Sequence, residues 1–156
     1  MWVGGGVRAS AVRAARLRLP LFTMSTDPAI GDAYREACEA EGYRGLFMSP
    51  PGPSFVHVSE DPERTWAEIS KYAVYDASTY SSWQTDDHDN PVALKNTTAD
   101  GLLASGMWKV VTPEECLELG RAHGSVALHP LMGGMPLEIG WESMQLFVDK
   151  VLPRFQ

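Results

Sequence analysis

Trp2-Val3-Gly4-Gly5-Gly6, followed at once by VRASAVRAARLRL (Val7–Leu19), is the stretch on which the fold reading turns. An apolar pair, three glycines and an Ala/Arg-rich segment ending before Pro20 make a strand–turn–helix unit, with a helix predicted from Arg8 to Leu19. Met1 to Val3 is only a stump beside a typical strand of about 5–6 residues, so the chain is expected to begin in mid-element. Residues 1–26 also carry four arginines and no acid, as an organellar transit peptide does. A transit peptide does not need a glycine turn directly after an apolar pair, however, and a strand–turn–helix unit does.

Working outward, the same grammar recurs. Asp27-Pro28 opens a second helix, with Asp as N-cap and Pro at the first helical position. Ile30, Ala33, Tyr34, Ala37 and Cys38 form its apolar stripe, and Gly42 ends it. Ser54 to Val58 reads as a short strand. Asp61-Pro62 starts a helix running to about Trp83, with Trp66, Ile69, Ala73, Ala77 and Tyr80 on one face. Residues 84–105 show no sustained period and read as a long loop or insertion.

Thr112-Pro113-Glu114-Glu115 is a capping box, and its helix runs to about His123, where Gly124 stops it. Val126-Ala127-Leu128 fits a parallel strand buried on both faces. A Gly133-Gly134 loop and a last helix presenting Trp141, Met144, Phe147, Val148 and Val151 close the chain at Pro153. Strands alternate with helices and no hairpin signal occurs, the pattern of a parallel α/β sheet.

The bulk numbers narrow the choices. With 156 residues the chain is shorter than the roughly 250 of a complete (β/α)8 barrel. A net charge of -7 and a pI near 5.0 argue against nucleic acid and anionic membranes as partners, since both need a positive surface. No apolar stretch approaches the roughly 20 residues of a membrane span. Cys38 and Cys116 form no CxxC pair and are expected to be buried free thiols of a cytoplasmic protein.

The candidate chemistry is sparse. Glycines after a strand let a backbone approach a phosphate, and the free N–H groups of a first helical turn bind anions, with Arg8 adding charge. A plain tight turn is the competing reading, because neither GxGxxG nor a P-loop is present. Among the histidines, His129 at a strand end is the better catalytic candidate, against a purely structural role; His57 lies within a strand and His123 caps a helix. Asp86 to Asp89 with His88 lacks the pattern of a calcium loop and reads as solvated, so no metal is expected. Asn96-Thr97-Thr98 matches a glycosylation sequon, with nothing else pointing to secretion. There is no GxSxG elbow.

Three segments then bring a family into view. Gly4 to Phe22 (GGGVRASAVRAARLRLPLF) resembles the late stretch of luciferase-like monooxygenases in which a strand ending in Gly-Gly leads into an Arg-Ala-Ala-Arg helix. Phe55 to Ile69 (FVHVSEDPERTWAEI), with Tyr80 and Trp83, is similar to the segment that follows. Val126 to Phe155 (VALHPLMGGMPLEIGWESMQLFVDKVLPRF) resembles the C-terminal strand, loop and helix.

The resemblance implies an α/β fold corresponding to the C-terminal part of a (β/α)8 TIM barrel over residues 1–156. It further implies a flavin-dependent oxidoreductase that oxygenates a small organic substrate with reduced FMN, or a deazaflavin coenzyme, supplied by a flavin reductase. Gly4, Gly5, Gly6, Val7 and Arg8 would hold the cofactor phosphate, and Arg13 matches the helix motif. Val7 stands where many relatives have a small hydroxyl residue, and Leu19-Pro20 replaces a frequent Gly-Asp-Gly. The family's first strands would lie upstream of Met1. The alternative is therefore a truncated, non-catalytic remnant or a self-associating partial barrel. Open sheet edges make a homo-oligomer the expected state.

Overall fold

A computed structural model describes residues 1–25, 27–49, 52–83 and 97–155, which fall into two compact units, one up to residue 49 and one from residue 52. Both are α/β with parallel strands.

The first unit runs β1 (Val3–Gly4), α1 (Arg8–Arg16), β2 (Leu21–Phe22), α2 (Pro28–Ala40), β3 (Phe47–Met48). Its strands are parallel neighbours in chain order, with Val3 opposite Leu21 and Leu21 opposite Phe47. Ala11, Ala14 and Ala15 are fully buried against Leu21 and the α2 residues Ile30, Ala33, Tyr34 and Cys38, so the α2 stripe is the one expected. Methyl-sized side chains let the two helices approach closely, and Tyr34 and Tyr43 add hydroxyl donations to the Leu19 and Ala15 carbonyls at 2.9 and 2.8 Å.

The first helix is shorter than predicted. Arg18 takes φ 55, a left-handed conformation uncommon outside glycine, and the Leu19 N–H turns back to the Ala14 carbonyl. The Arg18 guanidinium helps to hold that turn by donating to the Glu41 carbonyl at 3.0 Å and lying 5.2 Å over the Tyr43 ring.

The second unit contains β4 (Phe55–Val58), α3 (Pro62–Ser82), α4 (Ala99–Ala104), β5 (Trp108–Val111), α5 (Pro113–His123) and α6 (Leu137–Leu146). Of the stretch 84–105 read as a loop, 84–96 lie outside the described residues, as do Asp86 to Asp89 and Asn96; Ala99–Ala104 form a helix capped by Thr98. β4 pairs with β5 along its whole length, from Phe55 opposite Trp108 to Val58 opposite Val111. On its other edge Val56 bridges Leu128, also in parallel. β4 is therefore central, whereas successive strands of a barrel are neighbours, and no barrel is formed by the described residues.

Period-two alternation divides β4. Val56 and Val58 join Val111, Cys116, Leu117 and Val151 in one core, while Phe55 and His57 face the other way. Ile69, Ala73 and Ala77 are fully buried along α3, but Tyr80 is 44% exposed because it lies in the last turn.

Two expectations need correction. Val126 to Leu128 is half-buried and makes a single bridge, not a strand covered on both faces. The last helix buries Val151 as expected but turns Trp141 and Val148 outward, at 60% and 49% exposure, and buries Gly140 and Ser143 in their place. Gly140 explains this: a Cβ there would collide with the Pro130 carbonyl, so the helix packs by its small residues. No helix among the described residues is long and apolar enough to cross a membrane.

Candidate functional site

The glycine turn stands where β1 ends and α1 begins. Gly5 donates its N–H to the Phe22 carbonyl at 3.1 Å, which extends the β1–β2 ladder by one bond. A Cβ at Gly5 would run into the Ser10 hydroxyl, whereas at Gly4 it would meet nothing within 4 Å. Gly5 is therefore the position that requires glycine, and it does so by close approach, since its own N–H is already engaged.

From Gly6 onward, N–H groups stand without backbone acceptors among the described residues, up to Ser10, which donates to the Val7 carbonyl. Val7 is the N-cap with extended backbone, no side chain among the described residues caps the helix, and its first turn holds no acid. The positive end of the α1 dipole is thus left uncompensated. Arg8 begins the helix but is exposed and pairs with Glu36 at 3.6 Å, a contact weak enough for the guanidinium to be redirected. Arg13 is exposed on the outer face.

Two hydroxyl residues that sequence reading passed over lie beside the turn. Thr23 and Ser25, 1% and 5% exposed, follow the end of β2 and are the nearest groups to Gly6, about 3.7–3.8 Å from where its Cβ would be. Thr23 Oγ1 accepts from the Ser25 N–H at 3.0 Å, Ser25 Oγ from the Asp27 N–H at 3.1 Å, and Ser49 Oγ donates to the Ser25 carbonyl at 3.0 Å. These bonds stiffen the segment after β2. The glycine turn and these two buried hydroxyl residues therefore lie together at the carboxyl edge of a parallel sheet, a usual ligand position in such folds.

His129 lies elsewhere, in the second unit. Its half-buried ring packs 4.9 Å from Phe55, which stacks in turn on Trp108 at 4.3 Å and 7°, a row across three adjacent segments. That makes His129 a packing residue of the sheet face. His57 is the more unusual histidine, 6% exposed, with its pKa pushed down to about 4 by burial, so the imidazole is neutral near pH 7. Cys38 and Cys116 are buried free thiols, and burial pushes Cys116 up to about 11, away from nucleophilic use. The glycine turn belongs to the first unit and the histidines to the second. Set against known proteins, the chain matches no family model and no curated protein.

Proposed function

We propose that the turn from Gly4 to Arg8 holds the phosphate of a flavin mononucleotide, or of a deazaflavin relative, as part of an oxidoreductase of the luciferase-like monooxygenase class. The observation that carries this reading is Gly5. Its packing against Ser10 leaves no room for a side chain, at the open N-terminus of a helix with no acid in its first turn. Thr23 and Ser25 supply hydroxyls of the kind that bond phosphate oxygens, a function that Val7 cannot perform. The consecutive parallel order of β1, β2 and β3 is also that of a barrel wall, so the C-terminal-barrel reading draws its support from the first unit.

In this proposal the flavin supplies the oxygen chemistry when bound. The chain's own part is to anchor it: amides from Gly6 onward donate to the phosphate, Arg8 leaves Glu36 to add charge, and the helix dipole favours the anion. No side chain of the described residues is assigned a proton-transfer step.

Quenching of FMN fluorescence by the purified chain tests the anchor. Binding is expected to fall at least tenfold in Gly5→Asp, through steric block and like charge, while Gly4→Ala binds as the parent does. Riboflavin, which lacks the phosphate, should bind more weakly than FMN. Absence of quenching by the parent, or equal binding by Gly5→Asp, overturns the reading.

A further inference from the structure

The two helices of the first unit divide its charge between them. α1 carries Arg8, Arg13 and Arg16 and no acid, whereas α2 carries Asp32, Glu36 and Glu39 against one base, Arg35, which is already paired with Asp32. Arg13 and Arg16 have no ion pair among the described residues, and neither has Glu39. The last turn of α2 holds no base, so Glu39 stands at the helix end where the dipole favours a cation.

Both sets of charges lie on one layer. Ala11, Ala14 and Ala15 of α1 and Ile30, Ala33 and Tyr34 of α2 bury the inner sides of the helices. That leaves Arg13 and Arg16, with Ala9, Val12 and Leu17, along an open groove on the outer side of α1, and Asp32, Glu36 and Glu39 exposed on α2. Leu17 is 59% exposed, an apolar side chain with no cover of its own. The helices lie side by side and run the same way. Arg8 reaches Glu36 at 3.6 Å near one end, and Tyr43, just beyond α2, donates to the Ala15 carbonyl near the other. Arg13 and Arg16 therefore stand level with Glu39 and the C-terminal end of α2 without pairing with it.

This layer is complementary to itself. A two-fold axis parallel to the helices lays α1 of one copy on α2 of the next at unchanged height, and the reverse contact follows by symmetry. Arg13 and Arg16 then meet Glu36 and Glu39 twice over, with Val12 and Leu17 covered between them. A second copy fits this face better than an unrelated acidic partner, because the required acids already stand at matching height on the same surface. At 1.5 Å per residue the helices measure about 14 and 20 Å, and about 9 Å apart they offer an outer face of roughly 400 Å2. Two such faces bury on the order of 1,000 Å2 in total, the range of weak and transient contacts.

We propose that the first unit self-associates through this face, as a two-fold dimer held by reciprocal ion pairs between α1 and α2. Such a contact depends on charge, which pairing of open sheet edges through backbone bonds does not.

Sedimentation velocity of the full chain, from micromolar to near-millimolar concentration at about 50 mM and about 500 mM salt, tests the interface. The expected result is a reversible monomer–dimer equilibrium that weakens at least tenfold at the higher salt. Arg13→Glu/Arg16→Glu and Glu36→Lys/Glu39→Lys should each be monomeric, while an equimolar mixture of the two dimerises again, because each altered face then meets a complementary one. Arg13→Gln/Arg16→Gln, a milder change, should weaken the dimer at least fivefold. A parent that stays monomeric at low salt, or that grows past a dimer, overturns the proposal. Association indifferent to salt, or equal in the parent and the glutamine variant, assigns it to the sheet edges and overturns it too. So does a mixture that stays monomeric while both charge-reversed variants keep the circular dichroism of the parent. No flavin is present, so the outcome is separate from that of the flavin experiment.

Discussion

The two units place residues of opposite polarity at the carboxyl ends of their parallel strands. In the first, a helix N-terminus without an acid, Arg8 and two buried hydroxyl residues surround a glycine. In the second, four acids surround a neutral buried histidine. The sequence carries the same contrast: residues 1–50 contain six arginines and five acids, while residues 51–156 contain seven basic residues and fifteen acids. A whole-chain charge of -7 therefore hides a near-neutral segment well able to attract an anion. The overall acidity that argues against nucleic acid says little about a local phosphate site, because electrostatic attraction between exposed charges fades over a Debye length of about 8–10 Å.

Glycine separates the units most sharply. In the second unit a Cβ at Gly140 would strike the Pro130 carbonyl, which is backbone and cannot rotate away. In the first, a Cβ at Gly5 would strike both the Ser10 hydroxyl and the Ser10 Cβ; rotation about χ1 moves the hydroxyl but leaves the Cβ where the helix backbone holds it. Gly140→Ala is expected to cost about 3 kcal/mol or more, at the upper end of overpacking penalties. Gly5→Ala should cost about 2 kcal/mol, in the middle of overpacking penalties, since the hydroxyl can rotate away but the start of α1 must still shift to clear the Ser10 Cβ. Urea unfolding followed by tryptophan fluorescence reads the first substitution well, since Trp66, Trp83, Trp108 and Trp141 all belong to the second unit. Amide exchange of α1 reads the second. Equal costs at the two glycines would erase the distinction between a packing glycine and a site glycine.

His57 provides the next largest effect. Its pKa falls from 6.5 to about 4 on folding because burial penalises the charged ring. Between these values the unfolded chain binds a proton that the folded chain refuses, so stability falls as pH drops from about 6.5 to 4 and is level in this respect above 6.5. The full loss is on the order of 3 kcal/mol by the usual conversion. His57→Asn should flatten this part of the pH profile, which denaturant midpoints at pH 7, 5.5 and 4.5 will show. A profile just as steep in the variant would assign the acid sensitivity to other groups.

How much was legible follows from how local each signal is. Asp27-Pro28, Asp61-Pro62 and the Thr112–Glu115 box were readable because cap and amide lie within three residues of each other, and all three caps form. β2 and β3 are two residues long, and β5 follows a polar stretch; each is defined by the strand it pairs with, which no local window contains. The face of α6 was misread for a related reason. Trp141 has the larger hydrophobic side chain, but Gly140 and Ser143 allow close approach and a bond to the open edge of β4, and neither property appears in an apolar stripe. Thr23 and Ser25 carry no sequence signature at all. The surroundings of His129 and His57, packing on Phe55 and burial beside a cavity, are both products of register, which no local window contains.

The smallest effect tests whether the local rules count equally in both units. Asp27 accepts the Ala29 N–H at 2.9 Å to cap α2, and Thr112 accepts the Glu115 N–H at 3.2 Å while Glu115 returns a bond to the Thr112 N–H at 2.8 Å. Losing either cap leaves an amide dependent on water, at a cost of about 1 kcal/mol. Asp27→Ala should therefore raise amide exchange in the first turn of α2, and Thr112→Ala in the first turn of α5, each about fivefold. Thr112→Ala is expected to be the larger by a few tenths of a kcal/mol, because the box satisfies two amides reciprocally and the Asp27 cap satisfies one. A reversed order would mean that Asp27 does more than cap α2. Alanine keeps the backbone N–H that rests on Ser25 Oγ at 3.1 Å, so the extra contribution would have to come from the carboxylate itself.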